Sequence, residues 1–563
     1  MTLKTSSRKI NPALNMFGFT IRKNIGLIVL ITIATLLICP GFIISNLEYI
    51  KTADREILAI DYPCILTVIG CGTVVVFNLI NFLFLYSKRS SDVFLSIPLT
   101  RTELLVSRCL AGFVFSLIPI VLSYISLGVI VNLVSTSTAV TSIAICFAYT
   151  VMCMLVCSSF SMIFVVCAGS AFDLVVSFAG INIGLIVVSV ILSSIFEVCI
   201  YGYSTDVLSI MRIVSPFVFV GSGFCDYFDT FETFDLLFFI KSGILVIIFA
   251  VLSVILFNKR KAEKGGDAYA YRFIYIICSL IISFCGAFFL GGLFSEGFEG
   301  HSVKFWIFAL IGAVLVAIAY SAVTHRTFKN FKGAVMIGVC STLIMAITTI
   351  ISLNGGLGYA SRLPQKQEIK NASVHFFATD TIEYNDPSKV LLLHKSIINN
   401  KDKSDKDDTD KRYIDIIYRL KNGKKFERQY TVDYSKYDKE LMTIYNSDEH
   451  WKPLKSKFKD SHSLTVSITI NNNDSWINSY LTADEFNEFL DLYIEESKNT
   501  NIVELIMRTE NGCNIDYYWG EGKDNFYNGS LIFGNSFKNT KAYLDSLNLN
   551  ERNSEPERID YVD

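Results

Sequence analysis

The chain has 563 residues, of which 52% are hydrophobic, 13% aromatic and only 18% charged. Soluble domains carry about 25% charged residues, so this composition argues against an ordinary soluble protein and for an integral membrane one. The net charge of −2 selects no partner by itself, and the placement of charge along the chain is more informative.

Apolar runs of the roughly 20 residues that a bilayer core requires occur at 25–47, 63–85, 106–133, 140–167, 173–199, 236–257, 273–294, 303–323 and 333–354. They predict nine transmembrane helices. Lys4, Arg8, Lys9, Arg22 and Lys23 precede the first run, which by the positive-inside bias places the N-terminus in the cytoplasm. Alternation assigns 86–105, 168–172, 258–272 and 324–332 to the same side, and YSKRSS, NKRKAEK and THRTFKNFK there are basic. The other side receives the acidic DTFETFD and SEGFEG, and everything after residue 355. The first run is longer than a signal peptide's apolar region, and ICPGFIISN lacks a small-residue cleavage pattern, so the run is expected to be retained. Thirteen of the fourteen cysteines lie in or beside the apolar runs; Cys513 stands alone in the outer region, which excludes an internal disulfide there.

Tyr86–Gly112, between the second and third runs, reads YSKRSSDVFLSIPLTRTELLVSRCLAG. Ser90 or Ser91 is expected to cap a short helix, with Asp92 at its positive end. Val93, Phe94 and Ile97 would share one side, and Pro98 would end the helix. Thr100-Arg101-Thr102-Glu103 reads as a capping box, flanked by Leu99 and Leu104 as a hydrophobic staple. Lys88, Arg89 and Arg108 are explained by the positive-inside bias alone. A short apolar helix fixed rigidly to a membrane helix suits a lever driven by a cytoplasmic partner; a plain interfacial helix is the alternative.

The spans are nearly free of ionisable residues through their middles, which weighs against an ion-coupled carrier; Glu197 lies near the outer end of the fifth. The stretch VLSIMRIVSPFVFVGSGF within 200–235 is apolar but interrupted by Arg212, Pro216, Gly221 and Gly223. It fits a short helix dipping back from the outer surface against protein, or an interfacial helix. The chain has no GxxxxGK[ST] loop, HExxH, paired CxxC or GxSxG, and its six histidines lack metal-ligand spacing. KNGKK at 421–425 reads as a hairpin turn.

From Ser361 onward the composition turns polar. Ile414, Ile416, Tyr418 and Leu420 alternate on one face of a strand that turns at Asn422-Gly423 into a second strand. SLTVSITI (463–470) is another strand, and LTADEFNEFLDLYIEESKN is a helix with a Thr482–Glu485 capping box and a stripe of Phe486, Phe489, Leu490, Tyr493 and Ile494. The run 401–412 interleaves lysines with Asp402, Asp405, Asp407, Asp408 and Asp410 and reads as a solvated loop rather than a calcium site. The aromatics of 516–529 read as strand-pairing core rather than a ligand face.

SSDVFLSIPLTRTELLVSRCLAGFVFSLIP resembles the region around the first coupling helix of type-2, exporter-class ABC transporter permeases. Leu95, Ile97, Pro98, Leu99, Arg101, Glu103, Leu104 and Gly112 match that family's pattern, with Arg108 where a lysine is common. PALNMFGFTIRKN (12–24) is similar to its connecting helix, and IVSPFVFVGSG to its outer re-entrant segment. The resemblance covers roughly the first 260 residues.

The expected fold is a polytopic α-helical membrane protein of about nine transmembrane helices with an α+β extracytoplasmic C-terminal domain. Its parts are a cytoplasmic amphipathic segment (1–24), a six-helix permease-like unit (25–260), three additional helices (261–354), the outer domain (355–550) and a flexible tail (551–563). The resemblance implies a permease subunit in a bacterial plasma membrane, coupling ATP hydrolysis by a separate ABC subunit to substrate export. It implies no enzyme activity or cofactor on this chain, with ATP and Mg on the partner, and either a second copy or a sister permease. The bilayer is the remaining partner, and no nucleic acid is expected. Asp92, Phe94, Leu95, Pro98, Leu99, Thr100, Arg101 and Glu103 would form the coupling region. Phe94, Leu95 and Leu99 would fill the ATPase subunit's groove and Arg101 would meet its acidic rim. The alternative is a membrane-anchored sensor or immunity protein whose outer domain binds a ligand without transport.

Overall fold

A computed structural model of the protein describes residues 12–45, 62–134, 140–204, 207–230, 235–267, 269–295, 297–298, 302–328, 330–376, 382–400, 411–459, 465–472, 475–506, 513–520, 526–534, 536–547 and 549. The chain forms two compact units, one of residues 1–195 with 206–349 and one of 196–205 with 350–563. Most of the aspartate-lysine run (401–410) and the tail (551–563) lie outside the described residues.

The first unit is helical. Its apolar runs satisfy their own backbone groups as helices, the solution that an apolar environment demands. The elements are α1 (Pro12–Ser45), α2 (Tyr62–Phe82), α3 (Lys88–Leu95), α4 (Arg101–Val134), α5 (Val140–Cys167), α6 (Ala171–Cys199), α7 (Val207–Val214), α8 (Pro216–Thr230), α9 (Leu236–Lys259), α10 (Arg272–Phe294), α11 (Val303–His325) and α12 (Phe331–Leu353). Among the described residues nine are long and apolar enough to cross a membrane: α1, α2, α4, α5, α6 and α9–α12. The most enclosed of them is α5. One apolar core gathers Phe82, Leu104, Phe164 and Phe257 with Tyr275, Cys278 and Tyr320. Helices on both sides of residue 260 therefore share it.

Residues 12–24, the amphipathic segment, are continuous with the first long apolar run as the start of α1, one helix of 34 residues. The segment has no internal proline, and two of its polar side chains are bonded: the Thr20 hydroxyl donates to Met16 O (2.9 Å) within the helix, and Asn24 Nδ2 donates to Asn81 Oδ1 (2.9 Å) on α2. Between Val207 and Phe224 the chain breaks only at Ser215, ahead of Pro216, while Gly221 and Gly223 lie within α8. No residue of α7 is buried, whereas α8 buries Val220 and Phe224 beside Tyr149 and Phe238. A surface helix and a protein-packed helix thus sit side by side, one for each of the two readings of this stretch.

The second unit carries two antiparallel sheets. The first half contains β1 (Ile369–Phe376), β2 (Ile382–Tyr384), α13 (Ser388–Asn399), β3 (Lys411–Leu420), β4 (Lys425–Asp433), α14 (Asp438–Tyr445) and α15 (Asp448–Lys459). The second contains β5 (Thr465–Asn472), β6 (Ser475–Thr482), α16 (Ala483–Ser497), α17 (Ile502–Ile506), β7 (Cys513–Gly520), β8 (Phe526–Phe533) and α18 (Lys538–Ser546). The sheet orders are β2-β1-β3-β4 and β6-β5-β7-β8. The unit is therefore a tandem repeat of hairpin, helix, hairpin, helix. The expected hairpin turns at Gly423, whose φ of 79° suits glycine. Ile414, Ile416 and Tyr418 are fully buried. The stripe on α16 is buried as far as Tyr493, whose hydroxyl lies 3.0 Å from that of Tyr445, so the halves share one core.

Candidate functional site

The segment 83–112 is built in steps. After α2 a 3₁₀ turn (Leu83–Tyr86) carries the chain to Ser87, the N-cap position of α3, which makes no side-chain cap bond. The expected caps Ser90 and Ser91 lie inside the helix, where the Ser90 hydroxyl donates back to Phe84 O (2.8 Å) and Ser87 O (3.1 Å). Asp92 is consequently not at the positive end; it sits in the second turn, exposed, with its carbonyl accepting from Ser96 N (3.1 Å). The helix starts earlier than expected because the preceding turn delivers the chain already coiled.

The two faces of α3 separate at helical spacing. Ser91, Phe94 and Leu95 turn inward, while Arg89, Asp92, Val93 and Ser96 are exposed, Val93 by 61%. Phe94 and Val93 therefore do not share a side. Phe94, Leu95 and Leu99, expected to fill a partner's groove, pack against the chain's own core with Leu104. Pro98 is exposed in the turn to α4.

The start of α4 matches the expected capping box. Thr100 N donates to Glu103 Oε2 (2.9 Å), and Glu103 N donates to Thr100 Oγ1 (3.2 Å). Arg101 turns within the chain rather than towards a partner: its guanidinium donates to Asn258 O (3.0 Å) and Arg260 O (2.6 Å) at the C-terminal end of α9, where helix carbonyls lack intrahelical donors.

Arg108, expected to be a surface anchor, is only 4% exposed. Its guanidinium lies 4.5 Å from the Phe84 ring centre and 4.3 Å from that of Phe94, and it donates to Asn81 O. It thereby joins α3 to α4. The Asn81 amide returns a bond to Arg108 O (3.2 Å) and accepts one from Asn24, so α1, α2 and α4 are tied at one point. Asn78 extends the network to α5 through Ser158 O (3.2 Å) and Ser161 Oγ (3.0 Å). Gly112 makes the approach feasible, since a Cβ there would lie 3.0 Å from Asn81 Nδ2 and 3.2 Å from Asn78 Oδ1.

Arg260, 5% exposed, forms a second clamp. It donates to Leu85 O (3.0 Å) after α2, and to Val166 O and Ala168 O (2.8 Å for the latter) at the end of α5. A planar fork of five donors suits several carbonyls at once, which a lysine cannot match. The described residues 261–267 and 269–270 are tied to the end of α5 by Gly266 N to Gly169 O (2.9 Å) and Ala270 N to Cys167 O (2.9 Å).

These buried arginines are what sequence reasoning missed. The available signal was Arg108 within an apolar helical run, following a span that carries Asn78 and Asn81. Chemically the site is a hydrogen-bonded and ring-stacked joint between helices, with one face of α3 exposed. Among the described residues no group of three His, Cys, Asp or Glu side chains could hold a metal. No family model, curated protein or solved structure matches the chain.

Proposed function

We propose that the chain is the membrane-spanning permease subunit of an ATP-driven ABC transporter, working with a separate ATP-binding subunit in a bacterial plasma membrane. The observation that carries this reading is α3, a short helix mounted on α4 through Phe94 and Arg108 with its Arg89–Asp92–Val93–Ser96 face exposed. A push on that face passes through the Phe94–Arg108–Phe84 stack into α4, and through the Arg260 clamp at Leu85 to the end of α5. The capping box holds the entry angle of α4 during the push. The contact surface for the partner is then Asp92, Val93, Ser96 and Pro98, while Phe94, Leu95, Leu99 and Arg101 transmit from behind.

The test is affinity purification of the tagged chain from its own cells, with mass spectrometry of the proteins retained. An ATP-binding subunit is expected on the unmodified chain and lost from Val93→Asp and Asp92→Lys, both of which leave thermal stability in detergent unchanged. Purification without any ATP-binding protein, or retention by both variants, overturns the reading.

A further inference from the structure

A second feature of the helical unit lies away from the α3 joint. A cavity of about 1,200 Å³ opens between the first turn of α6, residues 264–267 and 269–270, and the adjoining ends of α10, α11 and α12. It exceeds the roughly 300–1,000 Å³ typical of small-molecule pockets. We propose that it holds an anionic phospholipid, with the phosphate headgroup among Arg272, Arg326 and Lys332 and an acyl chain along α10 and α12. This inference rests on the reading that the long helices cross a membrane, and is independent of the transport reading.

Charge is the first reason. The lining carries four cations, Lys264, Arg272, Arg326 and Lys332, and two carboxylates, Asp173 and Asp267. Lys264 pairs with Asp267 at 3.1 Å. Asp173 is buried and accepts a bond from the Ser170 hydroxyl. Among the described residues, Arg272, Arg326 and Lys332 make no ion pair within 4 Å; Asp173, near enough to Arg326 to feel its charge, is the one carboxylate left to balance three cations. A cationic pocket between membrane helices at the basic side is suited to an anionic headgroup.

Shape is the second reason. From the ring of charge the lining continues to Ile276 and Leu280 on α10 and to Met336 and Ile337 on α12. At 1.5 Å per residue, Arg272 to Leu280 spans about 12 Å, so a charged mouth leads into an apolar slot. Met336 is 69% exposed, with its side chain available to an acyl chain. A soluble anion has no use for that slot.

Arg326 supplies a third, independent observation. It ends α11 in the left-handed conformation, at φ 52° and ψ 23°, where glycine or asparagine is the usual residue. Backbone preference opposes an arginine there, which points to a role for the side chain.

The same feature gives a clean test, because Arg326→Gly removes the cation while suiting the backbone. The full chain is purified in mild detergent and offered phosphatidylglycerol or phosphatidylcholine of identical acyl chains, with bound lipid read by native mass spectrometry. Phosphatidylglycerol is expected to be retained about tenfold better. Arg326→Gly should weaken its retention several-fold, and Arg326→Gly with Lys332→Gln should remove most of it at unchanged size-exclusion behaviour. Equal retention of the two lipids overturns the proposal. So does an equal loss from Lys304→Gln, which lies outside the cavity. Displacement of the lipid by equimolar glycerol phosphate overturns it in favour of a soluble anion. Release of the chain from membranes by alkaline extraction would instead overturn the spanning reading beneath it.

Discussion

Each unit buries an arginine against aromatic rings, and the surroundings of the two differ in kind. Arg108 lies over Phe84 and Phe94. The nearby polar groups Asn24, Asn78, Asn81, Ser158 and Ser161 carry no titratable proton in the physiological range. Arg428 in the sheet unit lies 3.6 Å from the Tyr359 ring centre and 4.1 Å from that of Phe426, and donates to Tyr359 O (2.9 Å). Its neighbourhood includes His394, fully buried between the hydroxyls of Tyr418 (3.0 Å) and Tyr430 (2.8 Å). Burial, with a smaller contribution from Arg428, pulls the His394 imidazole down to about 3. The helical lock is thus indifferent to mild acid, whereas the sheet core is not.

The largest expected effect tests the second clamp of the helical unit, at Arg260. Arg260→Met leaves three buried carbonyls, on Leu85, Val166 and Ala168, without that donor. Each unsatisfied buried group costs about 1–3 kcal/mol, so a total loss of at least about 3 kcal/mol is expected. It should appear as a large drop in the temperature at which the detergent-solubilised chain aggregates. Arg260→Lys should recover only part, because one ammonium cannot reproduce the fork.

Next comes the pH contrast. His450 is half-buried with its Nδ1 enclosed, and burial pulls its imidazole down to about 3. A folded pKa below the unfolded value of about 6.5 means that the neutral form's stability is fully present above that value. It is lost progressively as pH falls from about 6.5 towards 3, at up to about 1.4 kcal/mol per pH unit for each histidine. Denaturant unfolding of the full chain at pH 7, 6 and 5 measures this. Of its four tryptophans, Trp451, Trp476 and Trp519 lie in the sheet unit, so fluorescence reports mainly there. His394→Gln should roughly halve the slope. An unchanged slope in that variant would remove His394 from the account.

A smaller effect isolates the stack that mounts α3. A double-mutant cycle with Phe94→Leu and Arg108→Met should give a coupling of about 1 kcal/mol in thermal stability, the range of a partly desolvated cation–π contact. Additive losses would mean that ring and guanidinium are merely neighbours.

How much of this was legible follows the range of the forces. The nine long helices are set by runs of apolar residues, and their expected ends lie within a few residues of the observed ones except in α1 and α4. Both capping boxes were legible because the motif is closed within four residues. The burial of Arg108 and Arg260 was not, because a buried guanidinium depends on carbonyls supplied by other helices. Leu85 and Val166 are far from Arg260 in sequence. The tandem repeat in the sheet unit was hidden for a related reason. Only β3–β4, β5 and α16 carry strong local patterns, and their relation emerges from the order β2-β1-β3-β4 recurring as β6-β5-β7-β8.

The smallest effect compares the two capping boxes. Thr482 and Glu485 exchange bonds of 3.0 and 3.3 Å at the start of α16, close to the 2.9 and 3.2 Å of Thr100 and Glu103. Losing a threonine cap costs about 1 kcal/mol of helix stability, so Thr100→Ala and Thr482→Ala should shift thermal stability by similar, modest amounts. Their local consequences should differ. The Thr100 box follows the exposed Pro98 turn and adjoins Arg101, which reaches α9, so it fixes α3 as well as α4. Hydrogen exchange across 88–100 should therefore rise in Thr100→Ala, while exchange in β6 barely changes in Thr482→Ala. Equal, purely local responses would reduce the first box to an ordinary helix cap and leave Phe94 and Arg108 as the whole of the mount.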